Sequence, residues 1–175
     1  MAKYIVEAKI DDIPQIEQLA YLSFKKFGLD KMFSYDPQSV KNNLQEMIKN
    51  NSYYVFVFKN INIMGFIISA VSPTLYNHKS KQIVEICLQA DPKLPKQKQA
   101  KILLALIKKQ ESIAQERQIR HIAISICPQF DLSSHLKRRN YKITDQIYYK
   151  TNIMKCHVSS KTRQNLLRKR SLQGT

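Results

Sequence analysis

Residues 84–107 read VEICLQADPKLPKQKQAKILLALI, and the architecture is decided in this stretch. Gln82 to Ala90 form a largely apolar run, which predicts a strand buried on both faces. Asp91-Pro92-Lys93-Leu94-Pro95 then breaks it, since proline supplies no amide to a strand ladder. From Lys96 to Gln118 the apolar residues Ile102, Leu103, Leu106, Ile107 and Ile113 recur at helical spacing. Ile119 to Cys127 is apolar again and reads as a second strand. Strand, helix and strand in that order make a crossover unit, so residues 82–90 and 119–127 are expected to lie parallel in one sheet.

Toward the amino terminus, Tyr4-Ile5-Val6 reads as a short strand. Asp11 or Asp12 caps a helix that tolerates Pro14 in its first turn and stops at Gly28. Asp36-Pro37 opens a second helix, with Val40, Leu44, Met47 and Ile48 on one face and Asn50-Asn51-Ser52 at its end. Tyr53 to Phe58 is aromatic and β-branched throughout, hence a strand. Asn60 lies in the turn that leads to its hairpin partner, Ile63 to Val71. Ser72 to Lys81 is polar, contains Pro73 and is expected to be a loop. Toward the carboxyl terminus, Asp131 to Arg139 predicts a short helix, Asn140-Tyr141 a turn, and residues 142–149 a closing strand or hairpin. The fold class is therefore α/β: a mixed, mostly antiparallel twisted sheet with one parallel splayed pair and about four helices.

The chain has 175 residues, 43% of them apolar, which is one globular domain and no disordered chain. Its formal charge is +16, and the excess is uneven. The last 44 residues hold eleven Lys or Arg and a single acid, Asp145. A terminus of that kind points to a polyanion, either nucleic acid or an acidic protein surface. We expect residues 1–158 to be the domain and residues 159–175 a basic tail that orders only against a partner. The cysteines at 87, 127 and 156 match no metal spacing, and their odd number argues for a reducing compartment. No run is long and apolar enough to span a membrane, and no metal is called for. The expected location is cytoplasmic, or within a viral particle.

The order of elements resembles that of the GCN5-related N-acetyltransferase (GNAT) superfamily over roughly residues 3–150. Three local stretches carry the resemblance: the helix opening DDIPQI, the segment 84–107, and the ending HLKRRNYKITDQIYYK. The chain is similar in particular to small GNAT-like proteins encoded by phages. The resemblance implies transfer of an acetyl group from acetyl-CoA to an amine. It implies that the backbone of Leu88, Gln89 and Ala90, at the splayed end of the strand, pairs with the pantetheine arm. It implies further that the first turn of the long helix, Lys96, Gln97, Lys98, Gln99 and Ala100, holds the pyrophosphate. Glu85, mid-strand where burial raises a carboxyl's pKa, is the candidate base; the alternative is an outward carboxylate paired with Lys81.

The sequence also departs from the pattern. The family's phosphate motif, Q/R-x-x-G-x-G/A, falls on Pro95, Lys98 and Ala100, and Ala100 alone fits. Lys98 puts a side chain where a glycine lets phosphate approach the backbone; Lys93, Lys96, Lys98 and Lys101 supply point charges instead. The tyrosine that protonates the leaving thiolate in many members falls here on Leu136. These losses motivate an alternative function: an inactive GNAT-fold module docking through its basic end onto nucleic acid or a protein assembly such as a virion. The acceptor is unreadable at this stage, because residues 28–36 and 72–81, which would select it, show no charge preference.

Overall fold

A computed structural model of the chain describes residues 4–74, 76–126 and 132–142. The expected closing strand beyond Lys142, Cys127, Cys156 and the basic tail 159–175 lie outside the described residues. Five strands form one sheet in sequence order: β1 (Ile5–Glu7), β2 (Tyr53–Lys59), β3 (Ile63–Thr74), β4 (Asn77–Ala90) and β5 (His121–Ala123). The first four pair antiparallel, and β4 and β5 pair parallel. Four α-helices accompany them among the described residues: α1 (Ile13–Lys26), α2 (Pro37–Lys49), α3 (Lys96–Glu116) and α4 (Ser133–Arg138). Among the described residues no helix is long and apolar enough to cross a membrane.

The sheet has a core on each face. Ile16, Leu19 and Leu44 of α1 and α2 pack against Val55, Val57, Phe66 and Ile68 on one side. Ile102, Leu103, Leu106 and Ile107 of α3 pack against Phe56, Ile67 and Ile83 on the other, with Leu132, Leu136 and Tyr141 from the α4 region. Asp12 ties the start of α1 to the β2–β3 turn. Its carboxylate accepts from the Lys9 amide at 3.0 Å and pairs with the Lys59 ammonium. Burial opposes ionisation there, but the Lys59 and Lys9 bonds prevail and hold its pKa below the usual carboxylate range.

Two sequence expectations change. Residues 72–74 and 77–81 are strand where a loop was expected: β3 runs to Thr74 and β4 begins at Asn77, so the hairpin continues past its neighbours. Its outermost rungs, Ser72↔Gln82 to Thr74↔Asn77, extend beyond Tyr53↔Ala70, the last rung of β2, and Pro73 is accommodated where only one partner strand is present. Both faces of this arm meet water, which is why its sequence is polar. The strand expected at 119–127 is shorter, pairing only over His121–Ala123.

Among the described α-helices α2 alone has a side-chain N-cap; Asp12 precedes α1 as expected but makes no capping bond to it. The Asp36 side chain accepts from the Gln38 amide at 3.0 Å, with Pro37 behind it in the first turn. Gly28 takes φ +70° after α1. Two other ends use residues with side chains. Gln118 sits at φ 54°, with its amide on Gln115 O and the Ile119 amide on Ala114 O; Asn140 sits at φ 64°, with its amide on Lys137 O and the Tyr141 amide on Leu136 O. Both are Schellman ends, and left-handed backbone is tolerated better by Asn than by Gln. Gln118→Gly is therefore expected to stabilise the fold by about 1 kcal/mol, read as a higher urea midpoint at unchanged slope.

Candidate functional site

β4 and β5 pair at Gln82↔His121, Ile83↔Ile122 and Val84↔Ala123, and pairing stops there. β4 continues to Ala90, so from Glu85 onward its β5-side edge has no strand partner among the described residues. A bulge lies at the fork. Ser69 pairs with Glu85 and Ile68 with Cys87, leaving Ile86 without a partner on β3. The extra residue bends the strand and resets its alternation. Ile83 faces the α3 core before the bulge and Leu88 and Ala90 face it after, while Cys87 faces the α1–α2 core. The exposed apolar side chain of Ile86 is thus a consequence of the bulge, and the expected burial of both strand faces holds only on either side of it.

Glu85 stands where the strands part. It is 6% exposed, and its carboxylate accepts the Ser125 amide at 2.9 Å, a backbone donor that has left the ladder. Burial pushes its pKa up to about 7, against the downward pull of that hydrogen bond. Lys81 is exposed and is not its partner. At neutral pH this carboxyl is poised between proton acceptor and proton donor, the range suited to general base work. Cys87, two residues on, is a buried thiol. Burial first, then the nearby Glu85 carboxylate, push its thiol up to about 12.

The first turn of α3 lies beyond the end of β4. Asp91 shapes the approach: its carboxylate accepts the Lys93 amide at 2.8 Å and its carbonyl the Leu94 amide at 3.1 Å. The amides of Lys98 and Gln99 both donate to Pro95 O, at 2.9 and 3.0 Å. By helix geometry this leaves Lys96 and Gln97 as the open donors of the turn. Gln99 turns inward, 1% exposed, and its amide nitrogen donates to Leu94 O. Lys96, Gln97 and Lys98 are exposed, and Ala100 is partly buried against the core. Of residues 96–100, Lys96 and Gln97 are thus the ones whose amides the helix leaves open, and Gln99 is turned into the core.

Tyr141 packs in the α3 core, where burial and then Glu111 raise its phenol well above the ordinary value. Leu136 packs in the same core. Among the described residues no group of histidine, cysteine and acidic side chains could hold a metal.

No family model matches the sequence, and no curated protein does. Solved structures match in fold. One is an aminoglycoside acetyltransferase from an uncultured soil metagenomic sample in complex with sisomicin, with TM-score 0.58 and 21% identity over 86% of this chain and 95% of that one. Another is a predicted acetyltransferase with acetyl-CoA from Clostridium acetobutylicum, with TM-score 0.61 and 15% identity over 87% and 97%. A third is a transcriptional regulator from Bacillus halodurans C-125, with TM-score 0.66 and 18% identity over 85% and 98%. At such identities the likeness is one of fold.

Proposed function

We propose, from the GNAT fold that this chain shares with those acetyltransferases, that it is an N-acetyltransferase using acetyl-CoA. The observation that carries this reading is the fork of β4 and β5, where a strand edge unpaired among the described residues, a bulge and a buried carboxyl meet at Glu85. A pantetheine arm, itself a string of amides, fits the open edge along Leu88, Gln89 and Ala90 as an added half-strand. The pyrophosphate then meets the free amides of Lys96 and Gln97 at the positive end of α3, with Lys93, Lys98 and Lys101 as side-chain charges.

In the reaction, the amine gives a proton to the Glu85 carboxylate, directly or through one water. Its lone pair attacks the thioester carbonyl carbon, and backbone N–H groups at the end of β4 receive the developing oxyanion. The tetrahedral intermediate collapses with cleavage of the C–S bond, releasing the acetylated amine and the coenzyme A thiolate. The thiolate takes up a proton, and no covalent enzyme intermediate or metal is required. With Leu136 at the position of the family's tyrosine, that last proton comes from solvent or from protonated Glu85.

The reading is tested by following thiol release from acetyl-CoA with a panel of amines. Amine-dependent release supports it. A rate equal to spontaneous hydrolysis with every amine, together with no acetyl-CoA binding, would return the chain to the alternative of an inactive module.

A further inference from the structure

The arm formed by residues 72–74 and 76–82 leaves the sheet at the amino-terminal end of β4, away from the edge at Leu88, Gln89 and Ala90. Its tip is ordered by its own polar groups. Thr74 Oγ1 donates to Asn77 O at 2.9 Å and accepts the Asn77 amide at 3.2 Å, and Asn77 Oδ1 accepts the Lys79 amide at 3.0 Å. Between the rungs Pro73↔Lys81 and Thr74↔Asn77, β4 carries three extra residues, His78, Lys79 and Ser80. A bulge of this kind re-aims side chains. His78 and Lys79 are exposed, and Tyr76 beside them is 95% exposed.

The register brings more positive charge to the base of the arm. Lys81 and Arg120 each precede the parallel rung Gln82↔His121 by one residue, so they stand side by side. Both are exposed, as is Arg117 at the end of α3. None of Lys79, Lys81, Arg117 and Arg120 forms an ion pair among the described residues, although like charges held side by side repel. The sequence has no acid from residue 47 to 84, nor from 117 to 130. Glu116, exposed on the last turn of α3, accepts from Ser112 Oγ at 2.9 Å and sets a single negative charge against these cations. Lysine and proline on exposed strands discourage edge-to-edge aggregation, and a cation at a helix carboxyl end complements its dipole. Neither reason calls for Arg120 next to Lys81.

We propose that this end of the sheet binds double-stranded DNA, with the arm in the major groove and Lys79, Lys81, Arg117 and Arg120 on the flanking phosphates. A major groove about 12 Å wide admits a two-stranded ribbon, whereas that of an RNA duplex is deep and narrow. The hydroxyl, amide and cationic groups of the arm suit phosphates and base edges. A protein partner would call for an apolar centre, and among the described residues of the arm Tyr76 is the one large hydrophobic side chain exposed.

The surface lies apart from the edge proposed for acetyl-CoA, so it does not depend on the acyltransfer reading. The test is the anisotropy of a fluorescein-labelled DNA duplex of about 20 base pairs, titrated with the full chain from about 50 to 200 mM salt. We expect saturable binding that weakens with salt. Replacing Lys79, Lys81 and Arg120 together by Gln should weaken it about tenfold or more, with a log–log salt slope shallower by about 0.9 per cation removed. All three are exposed, so the fold is retained. Replacing Lys9, Lys31 and Lys137, equally exposed but elsewhere, should change affinity less than about twofold at about 0.15 M salt, where charges beyond about 8 Å are screened. No saturable binding, equal weakening in both variants, or an unchanged slope in the arm variant, as binding through residues 159–175 would give, would overturn the proposal. So would displacement by single-stranded DNA, duplex RNA or polyglutamate at lower charge concentration than unlabelled duplex.

Discussion

Glu85→Gln should lower amine acetylation turnover by about 10²–10⁴-fold while leaving acetyl-CoA affinity within about twofold of wild type. Glutamine keeps the shape and can still accept the Ser125 amide, so the fork is preserved and only the proton acceptor is lost. The pH profile gives a second signature. In the wild type, turnover should rise through an inflection near 7, where the buried carboxyl ionises, and the variant should lack that limb. Stability should respond as well. The folded-state pKa is raised from 4.5 to about 7, so the folded chain binds the extra proton between these values. Its contribution is fully present below pH 4.5, declines as pH rises toward 7 and is flat above. The span corresponds to about 3 kcal/mol of wild-type stability that Glu85→Gln should not lose. Denaturant midpoints at several pH values read this directly, and equal pH dependence in both proteins would show that Glu85 is not held in a low-dielectric site.

Gly65→Ala should destabilise the fold by about 1–3 kcal/mol, read as a drop in the thermal midpoint of several degrees. A Cβ at Gly65 would lie 2.5 Å from Ile102 Cγ2 and 2.9 Å from the Gln89 carbonyl oxygen. Ile102 is 2% exposed and packed on every side, so its retreat displaces α3 or bends β4. The close approach of α3 to β3 at this glycine also sets where the open amides of Lys96 and Gln97 stand relative to the strand edge. A weaker grip on acetyl-CoA should accompany the loss of stability. An unchanged midpoint would mean that the α3–β3 spacing is looser than the structure shows.

The parallel crossover was legible because its signals are local. An apolar run, two prolines and a helical repeat stand in sequence within 84–107. Gly28 and Asp36-Pro37 were equally readable, since each marks a helix end by its own backbone or side-chain chemistry. The bulge at Ile86 was not, because register is a property of two strands and nothing in VEIC announces that Ser69 and Ile68 will skip a residue. The arm at 72–81 looked like a loop because a hairpin wet on both faces has no apolar alternation to reveal it. At the site, burial of Glu85 could be read from its apolar neighbours, but its partner is a backbone amide, Ser125, which no side-chain pattern encodes. The inward turn of Gln99, whose amide reaches Leu94 O, depends on the packing of α3 and is not encoded in its position in the first turn.

Acyltransfer requires that the edge of β4 accept acetyl-CoA although Lys98 stands where the family has a glycine. Isothermal titration of the full chain with acetyl-CoA measures this most directly. The account predicts saturable binding at one site per chain, retained by Glu85→Gln and weakened by Gly65→Ala. Absence of binding heat at millimolar acetyl-CoA would contradict it.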